Sequence, residues 1–125
     1  MNLLLDTHCL IWALTDDEAL CVDARKYILS ANAVWFSEAS IWELGLKWRK
    51  GKIALAPRKI FEAAVRDQFR PLPITLEPVF VSSELQQAHG DSFDRLLYAQ
   101  AAHYGYSLLS IDRTLQAFGA RMLHR

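Results

Sequence analysis

The sequence is poor in everything that would announce a disulfide-bonded, metal-thiolate or membrane protein. Cys9 and Cys21 are the only cysteines among 125 residues, and they form neither a CxxC pair nor a zinc-type spacing. Both fall in segments that read as helical, where cysteine acts as a small buried hydrophobe. No apolar run approaches the roughly 20 residues of a membrane span. The first residues also lack the basic stretch and small-residue cleavage site of a secretory leader. A reduced, cytoplasmic location with no membrane attachment is expected. Charge of one sign is not in excess either. Fourteen basic residues face fourteen acidic ones, so no broad basic field marks a nucleic-acid coat protein. The histidines at positions 8, 89, 103 and 124 show no ligand spacing and read as structural or surface residues. GxGxxG, Walker A and GxSxG patterns are missing, so nucleotide-fold and serine-hydrolase readings lack their signatures.

What is present is globular. Apolar residues make up 52% and charged residues 22% of the chain, and the length suits one domain, residues 1–125. Short apolar runs alternate with helical patterns. Leu3, Leu4 and Leu5 form a run too short for a helix and consistent with a strand buried on both faces. It stops at Asp6, followed by Thr7, a competent helix N-cap, and by Leu10, Ile11 and Leu14 at helical spacing. A second helix is expected from the acids at 16–18 to about residue 31, with Ala19, Val22, Tyr27 and Ile28 inward. Residues 33–36 (AVWF) read as a strand. Ser37 then caps a long helix from Glu38 to about Arg49 that stops at Gly51. Pro57 opens a helix with Ile60, Phe61, Ala64 and Val65 inward, and an extended piece follows around residues 72–76. A helix over about 78–87 comes next, then one over 93–104 ended by Gly105. A strand at 106–111 closes on Asp112. A short helix near 114–118 and a last strand around 121–123 complete the chain. This alternation argues for βαβ units, a parallel sheet covered by helices on both faces.

Four acids share a placement. Asp6 and Asp112 close predicted parallel strands, Glu43 lies in the helix after the second strand, and Asp94 lies in the first turn of a helix. Right-handed crossovers bring such positions to one sheet edge, where open α/β folds bind ligands. Clustered carboxylates repel unless a cation neutralises them. Oxygen-only donors suit Mg²⁺ or Mn²⁺ and argue against zinc, and such a site serves in-line phosphoryl displacement. Plainer readings stand beside this one. Asp6 could cap its helix with Thr7, Glu43 could pair with Lys47 one turn on, Asp94 could share a capping arrangement with Asp91, and Asp112 could start a turn. Lys47, Arg49, Lys50 and Lys52 form the one dense basic patch. They read as cations favoured at a helix C-terminus, or as phosphate contacts with Trp48 available for base stacking.

With these residues in view, the chain resembles the PIN-domain ribonucleases, in particular the toxins of VapBC-type toxin–antitoxin pairs. The resemblance rests on LLLDTHCLIWAL at 3–14, SEASIWELGLKWRKGKI at 37–53, HGDSFDRLLYAQA at 89–101 and LLSIDRTLQAFG at 108–119. It implies a three-layer α/β/α sandwich around a short-stranded, mainly parallel sheet. It also implies Asp6, Glu43 and Asp94 as acidic metal ligands with Asp112 at a fourth corner, and Thr7 and Ser110 as hydroxyl neighbours. The family usually has Pro where this chain has Ser92, and often Thr where it has Ser110. The implied activity is Mg²⁺- or Mn²⁺-dependent endoribonuclease cleavage of RNA through metal-activated water. Dimers are common in the family, and a small antitoxin inhibits it by filling the groove. Trp12, Trp42 and Trp48, with Phe61 and Phe69, lie on helices that one thin sheet does not fully cover, so a homodimer and an antitoxin-helix groove near Trp12 and Trp42 are expected.

Two rivals make different demands. A receiver-type phosphotransfer protein needs an acceptor Asp ending a central strand and a Lys closing a late one. The strand ending at Asp112 offers no such Lys, and residues 73–76 offer no such Asp. A non-catalytic binding domain has no use for four acids at four element ends.

Overall fold

The computed structural model describes residues 1–86 and 91–110. The expectations for Asp112, His89, the helix near 114–118 and the strand near 121–123 lie outside the described residues. Within them the chain runs β1 (Asn2–Leu5), α1 (Thr7–Thr15), α2 (Val22–Ser30), β2 (Ala33–Ser37), α3 (Glu38–Arg49) and α4 (Pro57–Arg66), then β3 (Arg70–Leu72), α5 (Leu76–Glu84), α6 (Ser92–Tyr104) and β4 (Ser107–Leu109). The four described strands are all parallel, in the order β3-β2-β1-β4.

The strand pattern explains the layers. Successive side chains of a strand face opposite ways, and the leucine run of β1 serves two cores. Leu3 and Leu5 join Cys9, Leu10, Val34, Phe36, Leu44, Ile60 and Ala64 on one face. Leu4 joins Leu72, Leu97, Ala101 and Leu108 on the other, under α6. Helices thus cover both faces, the three-layer α/β/α arrangement.

The topology makes one place special. From β1 the chain steps outward to β2 and β3, then crosses back so that β4 pairs with the other side of β1. The order reverses between β1 and β4, and in open α/β sheets the crevice at that switch point is where ligands bind. Leu5 is the last residue of β1 and lies opposite Leu109. The next backbone N–H, of Asp6, donates to the Leu109 carbonyl at 3.0 Å. Asp6 therefore stands at the switch point.

Several boundaries differ from the sequence reading. The second helix begins at Val22, not at the acids. Asp16 ends α1 in a left-handed conformation (φ 52°), and Arg25 donates to the Asp16 carboxylate and to the carbonyls of Asp17 and Leu20. These bonds hold residues 16–20 as a turn. In α2, Tyr27 and Ile28 pack against the first core as expected, together with buried Ala24, while Val22 is 67% exposed and Ala19, before the helix, is exposed too. Cys21 is not a buried hydrophobe but the α2 N-cap, its Sγ accepting from the Ala24 N–H at 3.4 Å. In α4, Ile60 and Ala64 are buried as expected, whereas Phe61 and Val65 are 39% and 46% exposed. The extended piece comes earlier, as β3, and α5 starts at Leu76 with Pro78 in its first turn, where a missing N–H costs nothing. No helix among the described residues is long and apolar enough to cross a membrane.

Candidate active site

The site is built where three helices begin at the carboxyl edge of the sheet. Asp6, not Thr7, caps α1: its Oδ1 accepts the Cys9 N–H at 2.7 Å, and Thr7 is the first helical residue. Asp6 is only 2% exposed and its cap uses one carboxylate oxygen. Ser37 ends β2 and caps α3, accepting from the Ala39 N–H at 3.0 Å. Asp91 caps α6, accepting the Asp94 N–H at 2.7 Å. The capping role anticipated for the Asp91–Asp94 pair is real.

Thr7 ties α1 to α3. Its hydroxyl lies 2.6 Å from Oε1 of Glu43 and 2.9 Å from Oγ of Ser40, within donating distance of both. Ser40 is buried and one turn before Glu43. The second carboxylate oxygen of Glu43, Oε2, meets the Lys47 ammonium at 3.4 Å, and the Glu43 side chain is 12% exposed. Glu43 thus has its expected salt-bridge mate, and it also sits against the N-terminus of α1. Ser110 is buried and follows directly on β4, one step past the Leu5–Leu109 pair and so level with Asp6.

Two grooves open here. One, of about 370 Å³, runs between α3 and the start of α6 and is lined by Glu43, Leu46, Lys47, Lys50, Lys52, Asp91, Ser92 and Phe93. The other, of about 300 Å³, is lined by Thr7, His8, Ile11, Trp12, Leu44, Lys47, Lys52 and Ile53. Lys47 and Lys52 form the wall they share. Of the basic patch, Arg49 lines neither groove, and neither does Trp48, which is 45% exposed. The aromatic surface at the grooves comes from His8, Trp12 and Phe93 instead. Trp42 is 60% exposed with its ring edge-on to Phe93, so the chain by itself does not enclose α3.

Among the described residues, no three His, Cys, Asp or Glu side chains stand close enough together to hold a metal ion. Asp6 and Glu43 are linked through Thr7, while Asp94 lies in the first turn of α6 beside the groove residues Ser92 and Phe93. The donor chemistry still suits a hard cation. Mg²⁺ keeps several waters and binds through one or two carboxylates plus substrate phosphates, without a dedicated protein cage. Among the described residues, Asp6, Glu43 and Asp94 are not brought together as a ready three-acid site.

Sequence reasoning anticipated a groove near Trp12 but missed Ser40 and the place of His8 in that groove. Ser40 looks like any polar residue in a helix, and only its contact with Thr7, 33 positions away, gives it a role. Ser40→Ala is expected to loosen the Glu43 carboxylate. It should cost about 1–3 kcal/mol in stability if the Thr7 hydroxyl is left underpaired, with Ser40→Thr restoring much of that loss. Chemical denaturation of both variants measures it.

Helix-capping acids at the switch point of a parallel α/β sheet, with lysine-walled grooves beside them, put the candidate site in the crevice where open α/β folds bind ligands. The pattern of the PIN domain matches residues 3–120, and the chain belongs to the PIN-domain family. It is 28% identical over 118 residues to the protein named Ribonuclease VapC22 of Mycobacterium tuberculosis, covering 93% of this chain and 91% of that one. Among solved structures it resembles DNA-bound VapBC from Salmonella typhimurium, with TM-score 0.72, 14% identity and 98% and 96% of the two chains covered. It is also similar to VapBC2 from Rickettsia felis bound to a promoter DNA fragment (TM-score 0.68, 14% identity, 98% and 97% covered). A third likeness is to VapC20 of M. tuberculosis, a toxin that cleaves the sarcin-ricin loop (TM-score 0.61, 18% identity, 94% and 95% covered).

Proposed function

We propose that this chain, as a single PIN domain over residues 1–125, is a Mg²⁺- or Mn²⁺-dependent endoribonuclease and the toxin of a cytoplasmic toxin–antitoxin pair. The observation that carries the reading is the buried Asp6 at the switch point, joined through Thr7 to Glu43 and opening on grooves walled by Lys47 and Lys52. The ribonuclease relative and the VapBC structural neighbours support the assignment of RNA as substrate and of a small antitoxin as partner. A receiver-like phosphotransfer protein or a non-catalytic domain gains no comparable support.

In this reading Asp6, Glu43 and Asp94, with Asp112, hold the cation, and Thr7 and Ser110 supply hydroxyls beside it. Held by these residues, a divalent ion would supply activation of water and neutralisation of charge on the phosphate. Thr7 fixes one Glu43 oxygen, so the carboxylate presents a single orientation. Lys47, Lys50 and Lys52 hold flanking phosphates, with Arg49 available at the same helix end. The N-terminal dipole of α1 adds partial positive charge at the same point. Exposed Trp42 and Trp48 support a homodimer, since aromatic patches of this kind usually mark an interface.

The test is purification with and without the product of a short upstream reading frame. Free chain should cleave RNA with Mn²⁺ or Mg²⁺ and stop with EDTA, run as a dimer, and lose activity when the upstream product binds. A chain that neither cleaves nor binds RNA under any divalent ion would sink the reading. Replacing Lys47, Arg49 and Lys50 by Gln should flatten the salt dependence of RNA binding, by up to about 0.7 in slope for each phosphate no longer held. An unchanged slope would return the patch to a helix-terminus role.

A further inference from the structure

The groove of about 300 Å³ beside Thr7 has a composition that the acidic site does not explain. Its lining offers two flat rings, His8 and Trp12, a floor of aliphatic side chains, and two ammonium groups, Lys47 and Lys52, with no carboxylate among the residues that line it. His8 is exposed at the start of α1, and its ring lies 5.7 Å from that of Trp12 at an interplanar angle of 35°. Trp12 is half-buried against the first core, so its ring is held in place by packing.

We infer that this groove is a nucleobase subsite, taking the base of a nucleotide next to the phosphate held at the acidic site; the inference rests on the ribonuclease reading and deepens it. Three features select a nucleotide. Thr7 belongs both to the groove wall and to the Glu43 hydrogen bond, so the groove is continuous with the candidate reaction centre. The volume lies at the lower end of small-molecule sites, roughly 300–1,000 Å³, enough for one base and not for a folded segment of RNA. The charge is complementary: cations at the rim meet phosphate, while rings and aliphatic groups meet the base face. Stacking of this kind tolerates any base, because every base has a π face. The geometry therefore assigns affinity and positioning to His8 and Trp12, and leaves the choice of base to other contacts.

The experiment compares two probes with EDTA present, so that nothing is cut: a fluorescein-labelled octamer of riboadenylate and an abasic ribose-phosphate octamer of equal length. Binding is read by fluorescence anisotropy on the full chain. Wild type should prefer the adenylate octamer by about 5- to 160-fold, the range expected for one stacked base. His8→Ala and Trp12→Leu should each shrink that preference while leaving the abasic octamer bound as before. Lys52→Gln should weaken both octamers alike. Because His8 is exposed, His8→Ala keeps the test valid even if Trp12→Leu fails to fold. Unchanged preference in both variants, with RNA still bound, overturns the subsite alone. Failure of wild type to bind either octamer overturns the subsite, and the ribonuclease reading falls with it only if the chain also neither cleaves nor binds RNA under any divalent ion. Variants that keep full RNA preference but no longer bind the upstream product would assign the groove to a protein partner and overturn the subsite.

Discussion

Asp6→Asn is expected to abolish ribonuclease activity while leaving the fold intact. The substitution removes the charge needed to hold a cation but keeps an oxygen for the Cys9 N–H, and Asn ranks with Asp as a helix cap. The rate loss should be on the order of 10³-fold, about 4 kcal/mol of barrier. Stability in the absence of metal should stay within about 1 kcal/mol of wild type or rise, because the change removes a charge from a side chain that is 2% exposed. Asp6→Ala separates the two roles. It too should be inactive, and it should also lose about 1–2 kcal/mol because the Cys9 N–H is left without its cap. Circular dichroism with cleavage assays under Mg²⁺ and Mn²⁺ checks the pair. Full activity of Asp6→Asn, and likewise of Asp94→Asn, would remove these residues from catalysis.

The largest stability effect is expected at Phe36. It is fully buried in β2, meets Phe61 edge-on at a ring separation of 5.7 Å, and packs with the β1 leucines in the first core. Phe36→Ala should cost about 3–5 kcal/mol, a large part of a typical domain stability of roughly 5–15 kcal/mol. The melting temperature should fall on the order of 10–20 °C. Val22→Ala is the matched control: the sequence pattern places Val22 inward, the structure leaves it exposed, and the change should stay within about 0.5 kcal/mol. Comparable losses in the two variants would contradict this core.

How much is legible depends on how local the cause is. The leucine run of β1 and the Ser37 cap of α3 are set by neighbouring residues, and both stand as read. The sequence leaves the α1 cap open between Asp6 and Thr7, because Asp and Thr are both competent caps. The choice is made by the sheet: the Asp6 N–H is the last to bond across to β4, so the helix starts one residue later. β3 is displaced from its expected place because a three-residue strand with Pro71 at its centre carries little pattern. The proline is tolerated because, among the described residues, β3 lies at the sheet edge with a partner on one side only. The α2 start differs because acids that favour a helix N-terminus can equally end the preceding helix, and Arg25, nine residues on from Asp16, decides between them.

The sequence by itself determined the alternation of strands and helices, the oxygen-only character of the candidate site, and Asp6 as the residue that ends the first strand. These follow from side-chain period, capping chemistry and donor type, all readable within a few residues. Only the tertiary structure decided that β4 returns to the side of β1 opposite β2, which makes the end of β1 a switch point. It alone brought Ser40 and Glu43 to Thr7, and turned His8 and Trp12 toward Lys47 and Lys52. Such contacts join positions far apart in the chain, as Asp6 meets Leu109 across the sheet. Packing of two cores on one sheet sets them, and no local pattern encodes that.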